Sequence, residues 1–141
     1  MTTNRIILAA TFLIAALISC ACGVSGRSGS DKVIASTKAG DMAVSVASAT
    51  GELKNGDNEL FLTFTDASGN GVDVGAASLR FHMPAMIGMA EMTDTATLTT
   101  TEAPGRYRAQ VTSQAAGTWE AIINYQGAHG KGQARMTVNA K

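Results

Sequence analysis

The chain has 141 residues, 45% of them hydrophobic and 16% charged, with eleven Lys and Arg balancing eleven Asp and Glu. That length fits one globular domain with extensions. Near-zero net charge excludes the basic footprint of a nucleic-acid binder, and two cysteines exclude a disulfide-dense scaffold.

The amino terminus reads "MTTNRIILAATFLIAALISC", with a single cation at Arg5, an apolar run from Ile6 to Ile18, and small residues before Cys20. This is the pattern of a secretory leader. The apolar run is too short to span the roughly 30 Å of a bilayer's hydrocarbon core as a helix. The segment Leu17-Ile18-Ser19-Cys20 resembles the lipobox of bacterial lipoproteins. That resemblance implies cleavage before Cys20 and a diacylglycerol on its thiol, and two or three acyl chains anchor far more firmly than one. Residues 1–19 are thus expected to be a lipoprotein signal peptide. Ala21, in place of an aspartate, points to an outer membrane facing the periplasm if the cell is Gram-negative. Cys22 is incidental to this anchor. Loss of Arg5 with the leader leaves ten basic against eleven acidic side chains.

Residues 20–40 are expected to be the lipidated cysteine and a tether, because "GVSGRSGS", Gly23 to Ser30, is dominated by Gly and Ser. From Ala21 to Asp41 such a chain spans on the order of 25 Å. The globular domain is then expected over residues 41–141, long enough to bury a core without staples.

Within it, apolar residues alternate with period two, the signature of half-buried strands. "MAVSVAS" sets Met42, Val44 and Val46 on one face, and "NELFLTFTD" sets Leu60, Leu62 and Phe64 together, with Phe61 breaking the pattern. "ASLRFHM" turns Leu79, Phe81 and Met83 inward and Arg80 and His82 outward. "TATLTT" keeps Ala96 with Leu98, and "GRYRAQVT" keeps Tyr107, Ala109 and Val111. "TWEAIINY" keeps Trp119, Ala121, Ile123 and Tyr125, and "QARMTVN" keeps Ala134, Met136 and Val138. Gly, Asn, Asp and Pro punctuate the gaps. About seven short strands at this spacing predict an all-β, immunoglobulin-like antiparallel sandwich, with Trp119 and Tyr107 as core anchors.

The run "RFHMPAMIGMAEM", then "APGRYRAQV", then "AAGTWEAIINYQG" resembles the YtkA-like domain family, related to FixH-like proteins. Its sharpest parts are Met83-Pro84-Ala85-Met86, Pro104-Gly105-Arg106-Tyr107 and Gly117-Thr118-Trp119. The resemblance implies an extracytoplasmic β-sandwich, often associated with heavy-metal efflux or copper-enzyme assembly, without a settled biochemical activity.

One segment asks for chemistry. "HMPAMIGMAEM" holds Met83, Met86, Met89 and Met92 at three-residue spacing. On a helix that spacing spirals across the surface, and Pro84 and Gly88 oppose a helix. On a single strand it alternates between faces. Only a polyproline-like segment or a folded loop would gather the four. Neutral, soft thioethers suit Cu(I) and Ag(I), and imidazole adds a nitrogen donor. The expected metal set is therefore His82, Met86, Met89 and Met92, with Met83 packed inward as a hinge. Met83 and His129 are possible additional ligands, His129 only if its turn lies at the same end of the sandwich. Glu91 and Asp94 are expected to be solvated loop charges.

Phosphate loops, nucleophile elbows and His-Glu-x-x-His motifs are absent from the sequence, so the chain does not read as an enzyme. Two readings remain. One is a lipid-anchored Cu(I)- or Ag(I)-binding protein that serves an efflux or copper-assembly system. The other is a metal-free envelope module that docks a protein partner through its Met-rich loop.

Overall fold

The computed structural model describes residues 30–141. The leader, Cys20, Cys22 and the expected tether as far as residue 29 lie outside the described residues. Nine strands follow one another: β1 Lys32–Ala39, β2 Met42–Ser48, β3 Gly56–Thr65, β4 Ala76–Met83, β5 Met92–Thr95, β6 Thr97–Thr100, β7 Arg106–Ser113, β8 Gly117–Gly127 and β9 Gly130–Ala140. Among the described residues there is no helix. The strands form two antiparallel sheets, ordered β1-β2-β3-β7-β6 and β5-β4-β8-β9. The protein is a β-sandwich, as the alternation predicts.

The alternating residues become the core. All of Leu60, Leu62, Phe64, Leu79, Phe81, Tyr107, Val111, Trp119, Ile123 and Val138 are buried. Phe64 packs edge-on against Tyr107 and Tyr125, with ring centroids 6.0 and 5.6 Å apart. Leu53 and Val74, which sit in loops and carry no periodic signal, are buried as deeply. The exception in β3 has a use of its own. Phe61 lies on the outer face, where the Arg106 guanidinium stacks 4.3 Å from its ring centre.

Two strands go beyond the seven expected. The first corrects the tether, because β1 occupies Lys32–Ala39, within the residues expected to be linker. Its sequence, KVIASTKA, alternates poorly, and its pairing with β2 slips between Val33 and Ala35. It is an edge strand held on one side, so its own pattern need not be strong, and its lysines are typical of a protected edge. Asp31, just before it, pairs with Arg106. The domain thus begins about ten residues earlier than expected, near Ser30. The second addition is β5, four residues that turn the Met-rich segment into one arm of a hairpin.

Strand registers define two ends. Lys32 pairs with Ser48, Gly56 with Ser113, Met83 with Met92 and Gly117 with Ala140 at one end. A bridge from Leu53 to Ala140 ties both sheets together there. The turns after Ala39 and Gly127, and the loops at 66–75 and 101–105, lie at the opposite end.

Candidate metal site

The methionine spacing is explained by a hairpin. Strands β4 and β5 pair Arg80 with Thr95, Phe81 with Asp94, His82 with Thr93 and Met83 with Met92. Farther out, Met86 N–H donates to Met89 O at 3.0 Å and Met89 N–H donates to Met86 O at 2.9 Å. Every step forward on one arm is matched by a step back on the other, so both pairs belong to one register. Ile87 and Gly88 alone make the turn, and Gly88 supplies the positive φ of 82° that its geometry requires. Met83 with Met92 and Met86 with Met89 are therefore two rungs of the same ladder.

Opposed residues of a ladder put their side chains on the same face. Met83 is 1% exposed, and Met92, half-buried, packs against the core with it. Met86 and Met89 are instead 54% and 43% exposed. The four methionines split into an inner pair that fills the sandwich and an outer pair that meets solvent. Met92, expected among the ligands, stands with the inner pair.

His82 faces outward from β4, between Thr93 on β5 and Glu120 on β8. Its Nε2 lies 3.6 Å from Glu91 Oε2, and its side chain is 30% exposed. His82 and Met86 line one open groove on the outer face of the second sheet, beside Thr118 and Glu120. The structure thus brings His82 and Met86 to one groove, with Met89 directly opposite Met86. That arrangement offers one nitrogen and two thioether donors, a set matched to a soft, low-charge ion. Among the described residues, no group of three or more His, Cys, Asp or Glu side chains is placed to hold a metal ion.

His129 does not reach this site. It lies in the β8–β9 turn, and Gly127 is seven residues along β8 from Glu120, the neighbour of His82. At about 3.3 Å per residue the separation is about 23 Å.

Asp94 corrects another expectation. It is 5% exposed rather than a solvated loop charge. As the register partner of Phe81 it points into the sandwich. Its carboxylate accepts Gln114 N–H at 3.1 Å and also the Gln114 side-chain amide. This clamp joins β5 to the loop between β7 and β8, and a single polar residue in a short strand carries no sequence signal of it. Asp94→Ala should destabilise the fold by about 1–3 kcal/mol, because the Gln114 N–H loses its acceptor. Urea midpoints for the two proteins measure this directly.

A small two-sheet sandwich with a Met-rich hairpin turn at one corner describes the class to which the molecule conforms. The chain belongs to the YtkA-like family, whose model matches residues 30–124. That match starts before β1, in agreement with the earlier domain boundary. No curated protein and no solved structure matches the chain.

Proposed function

We propose that this domain binds Cu(I) or Ag(I) at the β4–β5 turn, and buffers the ion or hands it to an efflux or copper-enzyme assembly system outside the cytoplasm. It acts as a binding protein, not an enzyme, held at the membrane by a lipid on Cys20. The observation that carries the reading is the reciprocal hydrogen-bonded pair that sets exposed Met86 opposite exposed Met89. His82, in the groove that Met86 also lines, supplies the third donor. Thioethers need no deprotonation and persist where free thiols would be oxidised. Pro84 has no N–H to donate to the ladder, which leaves the chain beyond it free to shape the turn.

The test is a Cu(I) titration of the protein under reducing conditions, with Ag(I) and Zn(II) alongside. Cu(I) and Ag(I) should bind and Zn(II), which favours Cys, His and carboxylate ligands, should not. The double substitution Met86→Leu with Met89→Leu should keep the circular dichroism spectrum and lose the metal. Met92→Leu should bind as the parent does, because that side chain belongs to the inner pair. Equal Cu(I) affinity in the double-leucine protein would overturn the reading.

The second reading, a metal-free docking module, is favoured by one observation. Ile87, at the point of the turn, is wholly exposed and has no role as a ligand. On that reading the double-leucine protein would retain its biological activity.

A further inference from the structure

We infer that the tip of the β4–β5 hairpin contacts a lipid surface, dipping into the interface of the bilayer that holds the chain's amino terminus. The inference goes beyond the metal reading and does not need bound metal, but it rests on the lipid anchor proposed at Cys20.

The tip is apolar and uncovered. Pro84-Ala85-Met86-Ile87-Gly88-Met89-Ala90 contains no charge, and all seven residues are exposed. Three of the four large hydrophobic side chains exposed among the described residues, Met86, Ile87 and Met89, sit on this one turn. Isolated surface apolar residues need no explanation, but a contiguous set at a protruding point marks a contact with something apolar. Strand β8 runs on past Glu120, the partner of His82, to Gly117, which lies level with Ala85, so the turn at Ile87 extends about two residues, about 7 Å, beyond the neighbouring strand. That reach matches the roughly 5–10 Å to which apolar faces enter a bilayer interface.

Its position selects the occupant. The tip lies at the end of the sandwich where β1 begins, with Lys32 beside Ser48. Upstream of that point the sequence carries the apolar run Ile6–Ile18 and then Cys20. Because the domain begins near Ser30, only about ten residues separate it from Cys20. Ten residues reach at most about 36 Å whatever their conformation, less than a connection that ran on to Asp41 could reach. The end bearing the tip is therefore kept within reach of the membrane surface.

Charge is the same at the two ends. At the tip end Lys32, Lys54 and Lys141 stand against Asp31, Glu52, Asp57 and Glu91. The Glu52 carboxyl is held below its ordinary value, first by the hydrogen bond and charge of Lys141, then by Lys54 and Lys32. The opposite end carries Asp41, Asp66, Asp73 and Glu102 against Lys38, Arg106 and Lys131, so each end has one more anion than cations. An anionic bilayer therefore does not choose between the ends by charge, and the apolar tip makes the difference.

The experiment uses the full chain, metal-free, reconstituted into vesicles of phosphatidylethanolamine and phosphatidylglycerol with brominated or ordinary acyl chains. Two variants are compared, Ile87→Trp at the tip and Ala128→Trp in the exposed β8–β9 turn at the far end. The parent's buried Trp119 supplies the background to subtract. The tip indole should emit at shorter wavelength in vesicles and lose roughly half its intensity to brominated chains, as expected for a side chain in the interface. The far-end indole should do neither. Quenching of Ile87→Trp no greater than that of Ala128→Trp overturns the inference, whether the tip then faces water or a protein. Chelated protein is used throughout, so failure of the metal reading leaves this result intact.

Discussion

Replacing Trp119 with Ala should cost about 3–5 kcal/mol, the range for removing a large aromatic from a packed core. The side chain is 1% exposed, and its Nε1–H donates to Ala115 O at 3.0 Å. Truncation therefore leaves a cavity between the sheets and removes one of the two hydrogen bonds to the half-buried Ala115 carbonyl, which keeps Ser113 Oγ as a donor at 3.3 Å. A domain of this size has about 5–15 kcal/mol in all, so the variant should keep about four fifths of its stability at best and almost none at the low end of that range. Thermal unfolding followed by far-ultraviolet circular dichroism should show a midpoint lower by more than about 10 °C. The β7–β8 loop that Trp119 holds also carries Gln114, the partner of Asp94, so the two losses should not add independently. A shift of only a few degrees would mean that the indole does not pin the two sheets.

Gly105→Ala should cost about 3 kcal/mol or more, a large effect for one methyl group. Gly105 has a φ of 69°, and a Cβ there would lie 2.3 Å from Val72 O, 2.6 Å from Val72 N and 2.8 Å from Phe64 O. Left-handed strain alone accounts for about 1–3 kcal/mol. The clash adds to it, because the obstructing atoms are backbone and are themselves bonded. Phe64 N–H donates to Gly105 O at 2.8 Å, and Val72 N–H donates to Phe64 O at 2.9 Å. Gly88→Ala is the control. It shares the positive φ, at 82°, but a Cβ there meets nothing within 4 Å, so it should cost only about 1–2 kcal/mol. Similar urea midpoints for the two variants would refute the close approach at Gly105.

The same glycine shows how a sequence motif acquires its reason. Pro104-Gly105-Arg106-Tyr107 resembles a family signature in the sequence, but the signature is silent about cause. In the fold, Gly105 lets two loops approach, Arg106 covers Phe61 and pairs with Asp31, and the Tyr107 hydroxyl donates to Gly75 O at 2.8 Å. Each of these contacts joins residues far apart in the chain, and no local pattern encodes them.

The sequence by itself determined the layers and their inner faces. In strands such as Leu60-Phe61-Leu62-Thr63-Phe64 every second side chain points the same way, so burial imprints a period of two on the residues themselves. Core identity was legible for that reason, and so was the presence of an uncommon donor type around Met86. Only the tertiary structure decided where strands begin at the edges and which methionines share a face. An edge strand such as β1 is held by its neighbour, so its own residues need not advertise it. The three-residue methionine spacing was ambiguous because its meaning lies in a pairing, Met83 with Met92 and Met86 with Met89, that exists only once the chain folds back at Ile87-Gly88. His129 was separated from His82, and Asp94 was drawn inward, by the same cause. Distance between ends and burial of a lone carboxylate are properties of the assembled sheets, which a one-dimensional period cannot carry.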